Sequence, residues 1–94
     1  MPADPLLLQF AQIVRRRRAA AGLSQEALAA AAGLHRTYVG LLERGLRMPS
    51  ILVAQKVARA LGMTTGELLS EVEREVLPRP GRNRAGRKAG DEKK

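Results

Sequence analysis

Apolar side chains recur along this chain at helical spacing, not in strand alternation. Phe10, Val14, Arg18 and Ala21 share one face of a first predicted helix over 5–21. Asp4 followed by Pro5 suits an N-cap and first helical residue, and Gly22 ends the segment. A second helix is expected over about 24–32. Ser24 caps it, Leu23 and Leu28 take the two staple positions, and Gly33 stops it. A third is expected over about 35–44, starting at His35 or Arg36, with Gly45 as terminator. The fourth follows Pro49-Ser50, with Ile51, Ala54, Val57, Ala58 and Leu61 on one face and Gly62 at its end. The fifth has a capping box in Thr64 and Glu67 and a staple in Met63 and Leu68, and should reach Val76 or Leu77. The rest is rich in Ala, Leu, Arg and Glu, which favour helix. The expected fold is all-α, a bundle of five helices.

Charge changes the picture at one end. Residues 5–77 form the predicted domain. Residues 1–77 hold ten basic and seven acidic groups, whereas 78–94 hold seven and two, with no large apolar side chain. The segment 78–94 is therefore expected to be a disordered basic tail. Ninety-four residues leave no room for a second core. The net charge is +8, and the tail is expected to add sequence-independent attraction to phosphate, against the alternative of an inert solubilising end.

Composition removes several chemistries. No cysteine is present, which excludes a disulfide scaffold, a thiolate metal site and a cysteine nucleophile. A single histidine, His35, excludes a multi-histidine metal site. Phe10 and Tyr38 are the only aromatic residues, too few for a base-stacking platform. No nucleophile or phosphate-loop motif is present. The acidic residues of the fifth helix, Glu67, Glu71, Glu73 and Glu75, read as a solvated face. The protein is expected not to be an enzyme and to need no cofactor or metal. The apolar stretch 5–14 is too short to span a membrane, and a cytoplasmic, nucleoid-associated location is expected.

The second and third helices are short and separated by a glycine turn, the arrangement of a helix-turn-helix. Ala29 falls where the two helices should cross closely. Gly33 falls where the turn needs a positive φ. Leu28, Ala32, Leu34, Val39 and Leu42 supply a buried side, leaving Arg36, Thr37, Gly40 and Leu41 facing outward. A short polar and basic helix face of this kind enters a DNA major groove.

The strings Gly22-Leu-Ser-Gln-Glu-Ala-Leu-Ala, Ala32-Gly-Leu, Val39, Leu42-Glu-Arg-Gly and Met48-Pro-Ser carry a family resemblance. So do Ala58-Arg-Ala-Leu-Gly and Glu67-Leu-Leu. Together they resemble the Cro/C1-type helix-turn-helix family, also called the XRE family, over about residues 10–70. The resemblance implies the five-helix, lambda-repressor-like fold of DNA-binding domains. The segment His35-Arg-Thr-Tyr-Val-Gly is similar to the recognition helix of restriction–modification controller proteins, which carry an Arg-Thr-Tyr-Ile-Ser type of sequence. The implied function is a sequence-specific transcriptional regulator that binds a palindromic double-stranded DNA operator. The alternative is an antitoxin of the same fold that binds a toxin and regulates its own operon.

The same resemblance assigns roles. Arg36 is the expected base reader, able to contact guanine O6 and N7 together. Thr37 offers a methyl and a hydroxyl to a base, and Tyr38 a contact to a groove edge or sugar–phosphate, against partial packing on the second helix. Phosphate contacts are expected from Ser24 and Gln25 at a helix N-terminus, from His35, and from Arg44 and Arg47 around the following loop. Arg18 and Glu43 are the expected structural ion pair. Arg17 is the alternative partner because the run Arg15–Arg18 blurs the register, while Arg15 and Arg16 read as solvated or near phosphate. Leu68, Leu69, Val72 and Val76 form a stripe on the fifth helix that is expected to make a homodimer interface. A toxin or RNA polymerase is the further protein partner left open.

Overall fold

A computed structural model of the protein describes residues 4–76; the side chain of Val76 is outside that description, as are Leu77 and the basic segment 78–94. Five helices follow one another: α1 (Pro5–Ala20), α2 (Gln25–Ala32), α3 (Arg36–Glu43), α4 (Ile51–Ala60) and α5 (Thr65–Val76). No strand occurs among the described residues. The local signals act as expected. The side chains of Asp4, Ser24 and Ser50 accept hydrogen bonds from Leu6, Ala27 and Val53 backbone N–H groups. Thr64 and Glu67 close a reciprocal capping box at 2.9 and 3.0 Å.

Two glycines are required where they stand. Gly33 ends α2 in the left-handed conformation, φ 69°, and lets Leu34 N–H donate to Ala29 carbonyl O at 2.8 Å. Gly45 repeats this after α3 at φ 70°, where an added Cβ would also sit 2.8 Å from Leu8 Cδ2.

The core is shared by all five helices. Phe10, Ile13 and Val14 of α1 meet Leu28 and Ala29 of α2, Val39 and Leu42 of α3, Ala54, Val57 and Ala58 of α4, and Leu68 and Val72 of α5. Helix α1 packs on α3 and α5, α2 on α3 and α4, and α4 on α5. Two expectations about the core need correction. Ile51 is 82% exposed, because it opens α4 beyond the edge of the packed layer. Ala21 is exposed because it caps α1 after the last packed turn.

The arginine run is divided between two partners. Arg16 donates to Glu71 and Glu75 at 3.4 and 3.1 Å, and Arg17 to Glu71 at 2.7 and 2.9 Å. Gln9 Nε2 adds a bond to Glu75 at 3.1 Å. Arg16 is thus not a free surface charge, and Glu71 and Glu75 are not a purely solvated face: they tie α5 to α1. Burial works to raise the Glu71 pKa, but the hydrogen bonds and charges of Arg17 and Arg16 outweigh it and hold the carboxyl below its ordinary value.

A carboxylate with a depressed folded-state pKa stabilises the protein above the unfolded-state pKa. That contribution is lost as pH falls through the folded value. Both arginines are about half exposed, so it is small. Glu71→Gln is expected to lower stability at neutral pH by about 1 kcal/mol or less, with the two proteins converging in acid. Thermal melts across pH check this; a difference that persists at the acid end would contradict it.

Candidate nucleic-acid interface

Contacts link the N-terminus of α2, α3 and the loop after it: Gln25 bonds Glu43, Arg36 lies near Glu26, and Arg47 lies over Tyr38. Ser24 is the N-cap of α2, and its hydroxyl serves Ala27 N–H. The first N–H groups of α2 have no partner within their own helix. His35 is the N-cap residue of α3, but its side chain makes no capping hydrogen bond. Arg36 and Thr37 open α3 and are exposed. The nearest carboxylate to Arg36 is Glu26 at 3.8 Å, with side chains 67% and 74% exposed, a weak pairing that leaves the guanidinium free to move.

Tyr38 is half-buried and packs against the core edge, while Arg47 lies over its ring at 5.5 Å from the centroid. The ring thus provides a face that holds Arg47 beside α3. Arg44 Nε donates to Gly40 carbonyl O at 3.3 Å, which keeps that side chain along the end of the helix.

One polar cluster fixes this surface. Arg18 donates through Nε and Nη2 to both carboxylate oxygens of Glu43, at 2.6 and 3.1 Å. Its Nη1 donates to Leu23 carbonyl O at 2.8 Å. Gln25 Nε2 donates to the same carboxylate at 3.0 Å. Glu43 is 3% exposed, the one buried charged residue among those described. The Arg18–Glu43 pair therefore joins α1, the turn before α2, the first turn of α2 and the end of α3. Arg18, not Arg17, occupies this role. The packing of α1 decides it: Arg18 reaches Glu43 at the end of α3, and Arg17 reaches Glu71 on α5.

Gln25 was expected at phosphate, yet its amide nitrogen is also a structural donor, which orients the side chain at the edge of the surface. No group of three or more His, Cys, Asp or Glu among the described residues could hold a metal ion. No described helix is long and apolar enough to cross a membrane.

The expected dimer stripe divides. Leu68 and Val72 are 0% and 1% exposed and belong to the monomer's own core, with Val72 at the floor of the groove described next. Five packed helices suffice to cover that side of α5. Leu69 is 39% exposed and borders an apolar groove of about 390 Å³ with Leu6, Leu7, Met48 and Ile51. Of these, Leu6 and Leu7 carry no assigned role in the sequence reading, Met48 stands there only in the family motif, and Ile51 is expected there on the packed face of α4. A signal existed in three consecutive leucines, Leu6 to Leu8, which one helix cannot turn inward together.

This arrangement defines the helix-turn-helix class. The helix-turn-helix family pattern matches residues 14–68, more than half of the chain, and the protein belongs to that family. Within it the chain is similar to the control protein C.MunI of a Mycoplasma species, at 41% identity over 59 residues, 63% of this chain and 80% of that protein. It also resembles the crystal structure of the restriction-modification controller protein C.AhdI from Aeromonas hydrophila, at 48% identity and a TM-score of 0.64, covering 66% of this chain and 94% of that one. The controller protein C.Esp1396I in its nucleoprotein complex matches at 26% identity and a TM-score of 0.70, over 78% and 95% of the two chains. The likeness read from His35-Arg-Thr-Tyr-Val-Gly thus extends over most of the length of these relatives.

Proposed function

We propose that the protein is a sequence-specific regulator of transcription that binds a palindromic double-stranded DNA operator as a homodimer, in the manner of restriction–modification controller proteins. The observation that carries this reading is the exposed Arg36–Thr37 end of α3, set beside the α2 N-terminus and held by the Arg18–Glu43–Gln25 cluster. A rigid polar helix end flanked by free backbone N–H groups and arginines fits a major groove and the phosphates on its edges. Relatives named as control proteins, one of them in a nucleoprotein complex, support it.

In this reading Arg36, Thr37 and Tyr38 reach base edges. The N–H groups and side chains of Ser24 and Gln25, with His35, Arg44 and Arg47, meet phosphates. Residues 5–77 are the DNA-binding domain. The basic segment 78–94 adds sequence-independent attraction to phosphate. The activity belongs in the cytoplasm, where the DNA of such a regulator lies.

The groove beside Leu69 is where a second copy would pack. A twofold contact there is self-complementary and sets two recognition helices for two half-sites. Leu69→Glu is expected to leave the helical content intact and to convert a dimer to a monomer in sedimentation, with loss of operator affinity. An unchanged dimer would remove α5 from the interface.

Selection from random duplexes tests the reading as a whole. Enrichment of a sequence with twofold symmetry is expected. Equal binding to every duplex would reduce the interaction to charge attraction and overturn the proposal.

A further inference from the structure

Gly40 sits in the middle of α3, one turn after Arg36 and Thr37 and on their side of the helix. Nothing in the folded monomer asks for glycine there. Its φ is not positive, unlike that of Gly22, Gly33, Gly45 and Gly62. An added Cβ would meet only Gln25 Oε1, at 3.9 Å, an ordinary contact. Glycine inside a helix costs roughly 0.5–1 kcal/mol relative to alanine. Neither backbone conformation nor packing in the monomer accounts for that cost.

The missing Cβ leaves a notch between Arg36 and Thr37 on one side and Arg44 on the other. Its walls are held in place. The Gln25 side chain is tied to Glu43 at 3.0 Å, and Arg44 is tied to the Gly40 carbonyl through both its backbone N–H and Nε, at 3.2 and 3.3 Å. The Gly40 N–H is used within the helix, so the floor of the notch offers no free donor. What it offers is a small apolar surface. The small apolar group that a base pair presents in the major groove is the 5-methyl of thymine.

We propose that Gly40 is a specificity-determining position that admits a thymine methyl against the backbone of the recognition helix. This rests on the DNA-binding function proposed above. Alanine at position 40 would fill the notch, stabilising the fold while weakening recognition.

The experiment uses the full chain and the duplex it selects from random sequence. Each thymine of one half-site is replaced in turn by deoxyuridine, which lacks only the methyl group. One replacement is expected to weaken wild-type binding about fourfold, the equivalent of one buried methyl. Gly40→Ala is expected to weaken binding to the thymine duplex, and the loss is expected to disappear on that deoxyuridine duplex. Its melting midpoint should equal or exceed that of wild type. An undiminished affinity of Gly40→Ala, an equal loss on both duplexes, or a lower melting midpoint would each overturn the assignment while leaving the DNA-binding reading intact. Failure of the wild type to enrich any sequence would overturn that reading, and this one with it.

Discussion

Arg18→Met is expected to destabilise the protein by about 3–5 kcal/mol, the usual result of removing one member of a buried ion pair. The Glu43 side chain is 2% exposed and would keep only the Gln25 amide as a partner. Domains of this size are typically stable by roughly 0.05–0.15 kcal/mol per residue, so the loss would consume a large part of the margin. At about 4–8 °C per kcal/mol, the melting midpoint should fall by more than about 10 °C. Arg18→Lys should rescue little, since an ammonium cannot bond both carboxylate oxygens and the Leu23 carbonyl in the same planar geometry. The double variant Arg18→Met with Glu43→Leu should recover much of the loss, because no charge is then left buried alone. Denaturant titration of the wild type, Arg18→Met, Glu43→Leu and the double variant closes the cycle. A single-variant loss below about 1 kcal/mol would mean that the pair is solvated in solution and does not set the angle of α3.

Arg36→Ala is expected to act in the opposite manner, sparing the fold and removing discrimination. The side chain is 67% exposed and its one carboxylate neighbour is 3.8 Å away, so the melting midpoint should stay nearly constant. Loss of a two-point guanine contact should reduce the preference for the selected duplex over a scrambled one by about 1–3 kcal/mol per half-site. In a twofold complex the loss is taken twice. Affinity for the scrambled duplex should change far less. If both duplexes instead weaken equally and the salt dependence flattens, Arg36 is a phosphate contact. Arg44→Ala provides the comparison, since that equal weakening is the result expected of it.

The two arginines show why some of the site was legible and some was not. Helix ends are written locally: Ser24 with Ala27, Thr64 with Glu67, and Gly33 in its left-handed turn each depend on a few neighbouring residues. The exposed start of α3 follows from the same local pattern. Partner choice within a run of four arginines does not. Four successive helical residues point in four directions, about 100° apart, and only the packing of α1 says which meets α3 and which meets α5. Arg18 reached Glu43, while Arg16 and Arg17 reached Glu71. Tyr38 shows the same limit: its sequence position suggests DNA, whereas its ring also packs on the core edge and supports Arg47.

The sequence by itself determined the five helices, their caps, the glycine turn between the second and third, and the family to which the chain belongs. All of these rest on interactions between residues a few positions apart or on spaced motif positions. The tertiary structure decided which apolar residues remain outside. Leu68 and Leu69 are adjacent in sequence and both apolar, yet one is sealed in the core and the other borders an open groove. Hydrophobic burial is not directional, so an apolar stripe indicates that something covers it but not what. Only the positions of α1 and α4 against α5 show that Leu68 and Val72 are covered by the monomer itself and that Leu69 is left exposed.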